Sequence, residues 1–220
     1  MKVVIFLGPP GAGKGSLSQL CKEYLGWRQL STGNLCRRHI DRGTSIGKEI
    51  DFAIKSGKLI SDSLISDMVR QWFIEEKTLE SVILDGFPRT VSQAEQLQHL
   101  VEETGTNLSI IRLNISDEQV IKRLSTRYIC QNHECQQVYS LGNPAFTPKK
   151  LMICDYCQYS LGKRKDDEES SVQERLRIYH QHAQKLITFY QEKGFKICEL
   201  NVDQPLQKIF EELGKLMGLV

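Results

Sequence analysis

With 220 residues, 40% of them hydrophobic and 25% charged, the chain holds enough apolar material for one generous domain or one domain with inserts, and falls outside the collagen-like, low-complexity and disordered classes. Lysine and arginine total 29 against 27 acidic residues, so a net charge of +2 makes no general case for nucleic acid or an anionic membrane as partner. The longest apolar stretch near the start, residues 3–7, is far shorter than the ~20 residues of a membrane span or the ~7–15 of a signal-peptide core, so a soluble cytoplasmic protein folded from Met1 onward is expected.

Residues 3–7 form the first strand candidate, apolar without polar alternation, as suits a strand buried on both faces of a parallel sheet. They run into GPPGAGKGS, residues 8–16, and a helical pattern over 14–24. In this strand, loop and helix context, Gly8, Gly13 and Lys14 satisfy the spacing of a phosphate-binding loop. Backbone N–H groups wrap a polyphosphate there, the helix N-terminus adds its dipole, and the lysine reaches the outer phosphates. Gly15 stands where a Ser or Thr usually meets magnesium, with Ser16 next.

A weaker strand candidate, 28–30, precedes a stretch at 31–60 that reads as short helices punctuated by Gly33, Gly43, Gly47 and Gly57. There follow a helix at 62–76, a strand at 82–84, a helix at 92–103, a strand at 109–113 and a helix at 117–127. Asp85 comes directly after the 82–84 strand, at the strand end where open α/β sheets bind ligands. Residues 128–163, with four cysteines, Pro144 and Pro148, read as a small irregular or β insert. A helix at 168–191, a strand at 196–200 and a helix at 205–217, with Pro205 in its first turn, complete an alternation that predicts an α/β fold with a parallel five-stranded sheet.

The cysteines are unevenly placed. Cys21, Cys36 and Cys198 stand alone, while Cys130, Cys135, Cys154 and Cys157 form a Cys-x4-Cys and a Cys-x2-Cys pair eighteen residues apart. Without a secretion signal such a cluster favours metal over disulfides, and the spacing is close to that of zinc ribbons. One structural zinc is therefore expected, in a closed four-ligand site with no part in chemistry. His133 lies within reach as an alternative to Cys135. The lone histidines His39, His99, His180 and His182 are expected to be surface or packing residues.

The loop GPPGAGKGS closely resembles that of the nucleoside monophosphate kinases, where Gly and then Thr or Ser follow the lysine. STGN at 31–34 with Arg37, LDGFPRT at 84–90 with Gln93, and GKRKDD at 162–167 followed by Arg175 resemble three further segments, in the family's order. The likeness covers almost the whole chain and is greatest to adenylate kinases of the long-lid type. It implies a P-loop NTPase-like core of residues 1–30, 61–127 and 164–220, a monophosphate-binding insert at 31–60 and a zinc-bearing lid at 128–163. It also implies a monomer acting on ATP, AMP and ADP with magnesium.

The resemblance further suggests residue roles. Gly11, Ala12, Gly13, Lys14, Gly15, Ser16, Arg123 and Arg127 would meet ATP, and Thr32, Arg37, Lys58, Ile60, Gly86, Arg89, Gln93, Arg164 and Arg175 would meet AMP. Lys14, Arg89, Arg123, Arg127, Arg164 and Arg175 would serve catalysis, and Asp85 would hold magnesium through water. Asp166 and Asp167 resemble acidic residues that support the lid's arginines, and CQQVY from Cys135 resembles the run after the family's second cysteine.

Such residues suit the reaction on physical grounds. Phosphoryl transfer to an anionic phosphate oxygen needs no strong base, so catalysis reduces to positioning and charge neutralisation, for which arginine's planar fork is well shaped. Two features depart from the family pattern: Asn34 replaces an Asp, and the segment from Val202 to Pro205 lacks a longer glycine-containing loop. The nearest alternatives are a UMP/CMP kinase or a GTP-using AMP kinase. Thr32 and Thr90 favour the adenylate kinases over the former. A zinc-bearing interaction module without catalysis is a third reading, opposed by the intact arginine set.

Overall fold

The structure, a computed structural model, describes residues 2–55, 60–75, 80–132 and 134–219. Numbered along the chain, the strands are β1 (Lys2–Leu7), β2 (Arg28–Ser31), β3 (Ser81–Asp85), β4 (Asn107–Asn114), β5 (Arg127–Cys130), β6 (Val138–Ser140), β7 (Leu161–Gly162) and β8 (Ile197–Asn201). The α-helices are α1 (Lys14–Leu25), α2 (Thr32–Asp41), α3 (Ser45–Lys55), α4 (Asp62–Glu75), α5 (Val91–Glu103), α6 (Asp117–Ser125), α7 (Glu169–Glu192) and α8 (Leu206–Leu216).

Five strands form one parallel sheet in the order β2-β3-β1-β4-β8, with Ile5 of β1 opposite Leu84 on one side and Ile110 on the other. Side chains of a strand alternate between faces, and here both faces are covered, which explains the unbroken apolar runs. Val3, Ile5 and Leu7 pack with Val69, Leu97 and Tyr190 from α4, α5 and α7. Val4 and Phe6 pack with Leu17, Cys21 and Leu213 from α1 and α8. The parallel five-stranded α/β core expected from the sequence is therefore present.

The stretch at 31–60 contains α2 and α3, packed so closely that a Cβ on Gly47 would stand 2.0 Å from the His39 carbonyl oxygen. Only glycine permits that approach. The helix expected at 117–127 stops at Ser125. Thr126 caps it, and its hydroxyl lies 3.0 Å from Ser140 Oγ, so Arg127 instead opens β5 opposite Ser140. Asp85, expected just after its strand, is the last residue of β3. Strands β6, β5 and β7 form a separate antiparallel sheet whose small core is Cys130, Tyr139, Cys154 and Leu161.

Candidate active site

The carboxyl ends of β1, β2 and β3 lie side by side at one edge of the parallel sheet. At the end of β1 the chain turns through Gly13, held at φ 92°, into α1. This left-handed turn suits glycine and leaves the first N–H groups of α1 without a side-chain cap, and no acidic residue occupies the helix's first turn. Those amides are donors suited to phosphate. Lys14 Nζ donates to the carbonyls of Gly8 and Pro9, each at 2.8 Å. Burial lowers the lysine to about 8, with Asp85 opposing the shift and Arg89, Arg175 and Arg127 adding to it.

Asp85 faces this loop. Gln29 Nε2 donates to its Oδ2 at 3.2 Å, and a Cβ on Gly15 would stand 3.7 Å from the same oxygen. A carboxylate across a side-chain-free position beside the phosphate loop fits a hydrated magnesium ion, an oxygen-seeking cation that keeps several waters. Thr32 Oγ1 and Arg89 Nε both donate to the Gly86 carbonyl, at 3.0 and 2.8 Å. Arg37, one helical turn along α2, donates to Asn34 Oδ1. Its Nε is buried without a partner, as is that of Arg164.

The arginines beyond the loop are anchored on acids. Asp167, 1% exposed, accepts two bonds from Arg127, at 2.8 and 2.5 Å. Such a fork-to-carboxylate pair fixes orientation as well as charge. Arg175 donates to the Asp166 carbonyl at 2.7 Å and lies 3.2 Å from its carboxylate. Burial lowers Arg164 to about 10, helped by Arg127 and Arg37, and burial likewise lowers Arg37 and Arg175. Lys14, Arg37, Arg89, Arg127, Arg164, Arg175 and Asp85 thus share one field. Arg123 lies at its edge, donating to the Val202 carbonyl at 2.5 Å, and a Cβ on Gly13 would be 3.9 Å from its Nη1.

Gln93 is 4% exposed and also belongs here. Its Oε1 accepts from the Arg89 amide at 2.8 Å, and its Nε2 donates to Asp62 Oδ1 at 2.7 Å. Ile60 packs against the main core, and Lys58 and His133 lie outside the described residues. Sequence reasoning missed Gln29 and Asp62. Each hydrogen-bonds a side chain of the site, and only the fold brings them together.

In the small sheet, Cys130 and Cys157 place their sulfurs 3.2 Å apart, Cys135 and Cys154 theirs 3.7 Å apart, and all four lie within 4.8 Å of one another. Four thiolates about 2.3 Å from one tetrahedral zinc would be about 3.8 Å apart, so the donor set and spacing fit that ion. Burial raises the Cys154 thiol, but donors from the Tyr139 hydroxyl and the Cys157 and Tyr156 amides more than offset this and lower it to about 6.

A central phosphate loop under a crevice of desolvated cations defines a P-loop phosphotransferase of nucleotides. The adenylate kinase family model matches residues 6–195, and the chain belongs to the adenylate kinase family. It is 34% identical over 215 residues to the adenylate kinase of Archaeoglobus fulgidus, covering 97% of each chain. Identity is 35% over 217 residues to that of Kosmotoga olearia, covering 97% of this chain and 99% of the relative. It is 34% over 220 residues to that of Methanosarcina mazei, covering 99% of both.

Proposed function

We propose that the chain catalyses the reversible, magnesium-dependent transfer of the terminal phosphoryl group of ATP to AMP, giving two ADP. One observation carries this beyond the family: cations from the phosphate loop, α2, the 86–90 loop, β5 and α7 lie near enough to act on one another's charge around Lys14 and Asp85. A simple binder of one nucleotide has less need of them. An AMP phosphate oxygen attacks the γ-phosphorus, that P–O bond forms, and the bond to the β-phosphate oxygen breaks with its electrons leaving on ADP. Lys14, the α1 amides, Arg123 and Arg127 hold ATP with Gly11, Ala12, Gly15 and Ser16. Thr32, Arg37, Lys58, Ile60, Gly86, Arg89 and Gln93 hold AMP. Arg164 and Arg175 lie between the two and spread the transferring charge. Asp85 would hold magnesium through water, and the ion would supply further neutralisation of the phosphates.

Residues 1–30, 61–127 and 164–220 form the core in this reading. The 31–60 insert and the 128–163 lid close over the nucleotides and exclude water, the competing acceptor. The lid carries one structural zinc on Cys130, Cys135, Cys154 and Cys157. We take the enzyme as monomeric, as its likeness to the long-lid adenylate kinases implies, and as cytoplasmic, a reading supported by its unpaired cysteines. The test is purified protein with Mg-ATP and a panel of monophosphates, products separated by chromatography. AMP should give the highest kcat/KM, and a higher value for CMP or UMP would overturn the assignment.

A further inference from the structure

Asp62 stands at the first turn of α4, outside every segment that resembles the family's motifs, yet it receives two short hydrogen bonds from the 90–93 segment. Thr90 Oγ1 donates to its Oδ2 and Gln93 Nε2 to its Oδ1, both at 2.7 Å. Thr90 Oγ1 in turn accepts the Gln93 amide at 3.2 Å as the N-cap of α5. We propose that Asp62 is a positioning residue that fixes which way the Gln93 amide faces, and through it the choice of acceptor base.

The chemistry of the partners dictates the orientation. A carboxylate only accepts and a backbone N–H only donates, so Gln93 must turn Nε2 to Asp62 and Oε1 to the Arg89 amide. A flipped amide would set carbonyl oxygen against carboxylate and N–H against N–H. At 4% exposure no bulk water relieves those pairings. One N–H and one oxygen lone pair of Gln93 are left uncommitted, in a fixed order. A 6-aminopurine presents a ring acceptor beside an amino donor, whereas a 6-oxopurine presents a ring donor beside a carbonyl acceptor. A locked amide serves one of these and opposes the other, while a freely flipping amide serves both. The proposal rests on the reading that Gln93 meets the acceptor base.

The experiment measures kcat and KM for AMP and for IMP, its 6-oxo counterpart with the same ribose phosphate, in wild type, Asp62→Ala, Asp62→Asn and Gln93→Ala, each with its melting temperature. Asp62→Ala should lower the AMP-to-IMP ratio of kcat/KM about tenfold, chiefly by raising KM for AMP, as expected for loss of one buried charge-assisted bond. Asp62→Asn offers both a donor and an acceptor, keeps the side-chain volume and should also lower the ratio, so it decides the matter if the alanine variant does not fold. A purely structural brace would lower the melting temperature and both activities together with the ratio unchanged, which would overturn the proposal. If Gln93→Ala collapses the ratio while both Asp62 variants keep it, the proposal fails and the base reading stands. If Gln93→Ala keeps the ratio, the base reading fails and the proposal with it.

Discussion

The phosphate loop hangs between β1, whose residues Val3, Val4 and Ile5 are fully buried at the centre of five parallel strands, and a twelve-residue helix packed on that sheet. The small sheet that begins at Arg127 has strands of four, three and two residues, and half of its four-residue buried core is thiols. In the first region apolar burial holds the backbone, which frees the loop's polar groups and desolvated cations for ligand. In the second, three short strands bury little apolar surface, and on the proposed reading a zinc ion on the thiol cluster would supply what packing does not. Damage to the crevice should therefore leave the fold and remove activity, whereas damage to the thiols should do the reverse first.

The sharpest test of that contrast is Arg89→Ala. The side chain is exposed, and its Nε holds only the Gly86 carbonyl among the contacts described, so the core loses nothing when it is removed. A charge-assisted contact made at the reacting phosphates is worth ~10²-fold or more in kcat. We expect at least that loss with an unchanged melting temperature. Near-normal turnover in the folded variant would place Arg89 outside the site.

The lowered pKa of Lys14 gives the next effect and its sign. The group sits near 8 in the free protein, well below its ordinary 10.5, because burial and neighbouring arginines oppose its charge. Bound polyphosphate favours the charged form and raises the pKa again, so the complex holds more protons than the free protein at and above pH 8. Affinity for ATP should fall by up to tenfold per unit above pH 8, with proton uptake on binding seen by calorimetry in buffers of different ionisation enthalpy. A flat affinity from pH 7 to 10 would show that the lysine is already charged.

Cys154→Ser tests the other side. In isolated zinc fingers the metal contributes about 10 kcal/mol or more to folding, so removing one ligand should release the zinc and loosen the small sheet. Elemental analysis should fall from about one zinc per chain towards none. The melting temperature should drop, while binding of a monophosphate to the main crevice is retained. Absence of zinc from the wild type, with four freely titrating thiols, would end the comparison.

How much of this was legible in the sequence follows the same division. The buried strands and the phosphate loop declare themselves because a strand covered on both faces must be continuously apolar and a phosphate loop must have glycines at fixed spacing. The clustering of the four cysteines was legible because two closely spaced pairs can be brought to one point by two tight turns. Asp62 and Gln29 left no such trace, since a residue that orients another is recognised only when the fold brings 62 beside 93 or 29 beside 85. The end of α6 was misplaced for a related reason. Residues 117–127 are helical by local pattern, but from Arg127 the chain pairs with 138–140, a partner that local pattern does not show.

The smallest effect concerns Tyr139, which is 4% exposed on β6. Its hydroxyl donates to Cys154 Sγ at 3.5 Å and accepts from the Asp155 amide at 2.7 Å, so it ties one sulfur to the turn that carries the Cys154 and Cys157 pair. Groups that hydrogen-bond a metal ligand hold it in place and stabilise its charged form, and their loss typically costs ~10- to 100-fold in metal affinity. Tyr139→Phe keeps the ring and its packing and removes only the hydroxyl. The lower end of that range, about tenfold, is expected here because the bond to sulfur is long and the backbone amides near Cys154 remain. Competition against a chromophoric chelator gives the affinity directly. The melting temperature of the zinc-loaded protein should fall only slightly, since the sheet keeps its four ligands. An affinity equal to wild type would mean that the hydroxyl serves the Asp155 turn alone. A loss as large as that of Cys154→Ser would mean that the two hydrogen bonds of this hydroxyl matter to the small sheet as much as one of its thiols does.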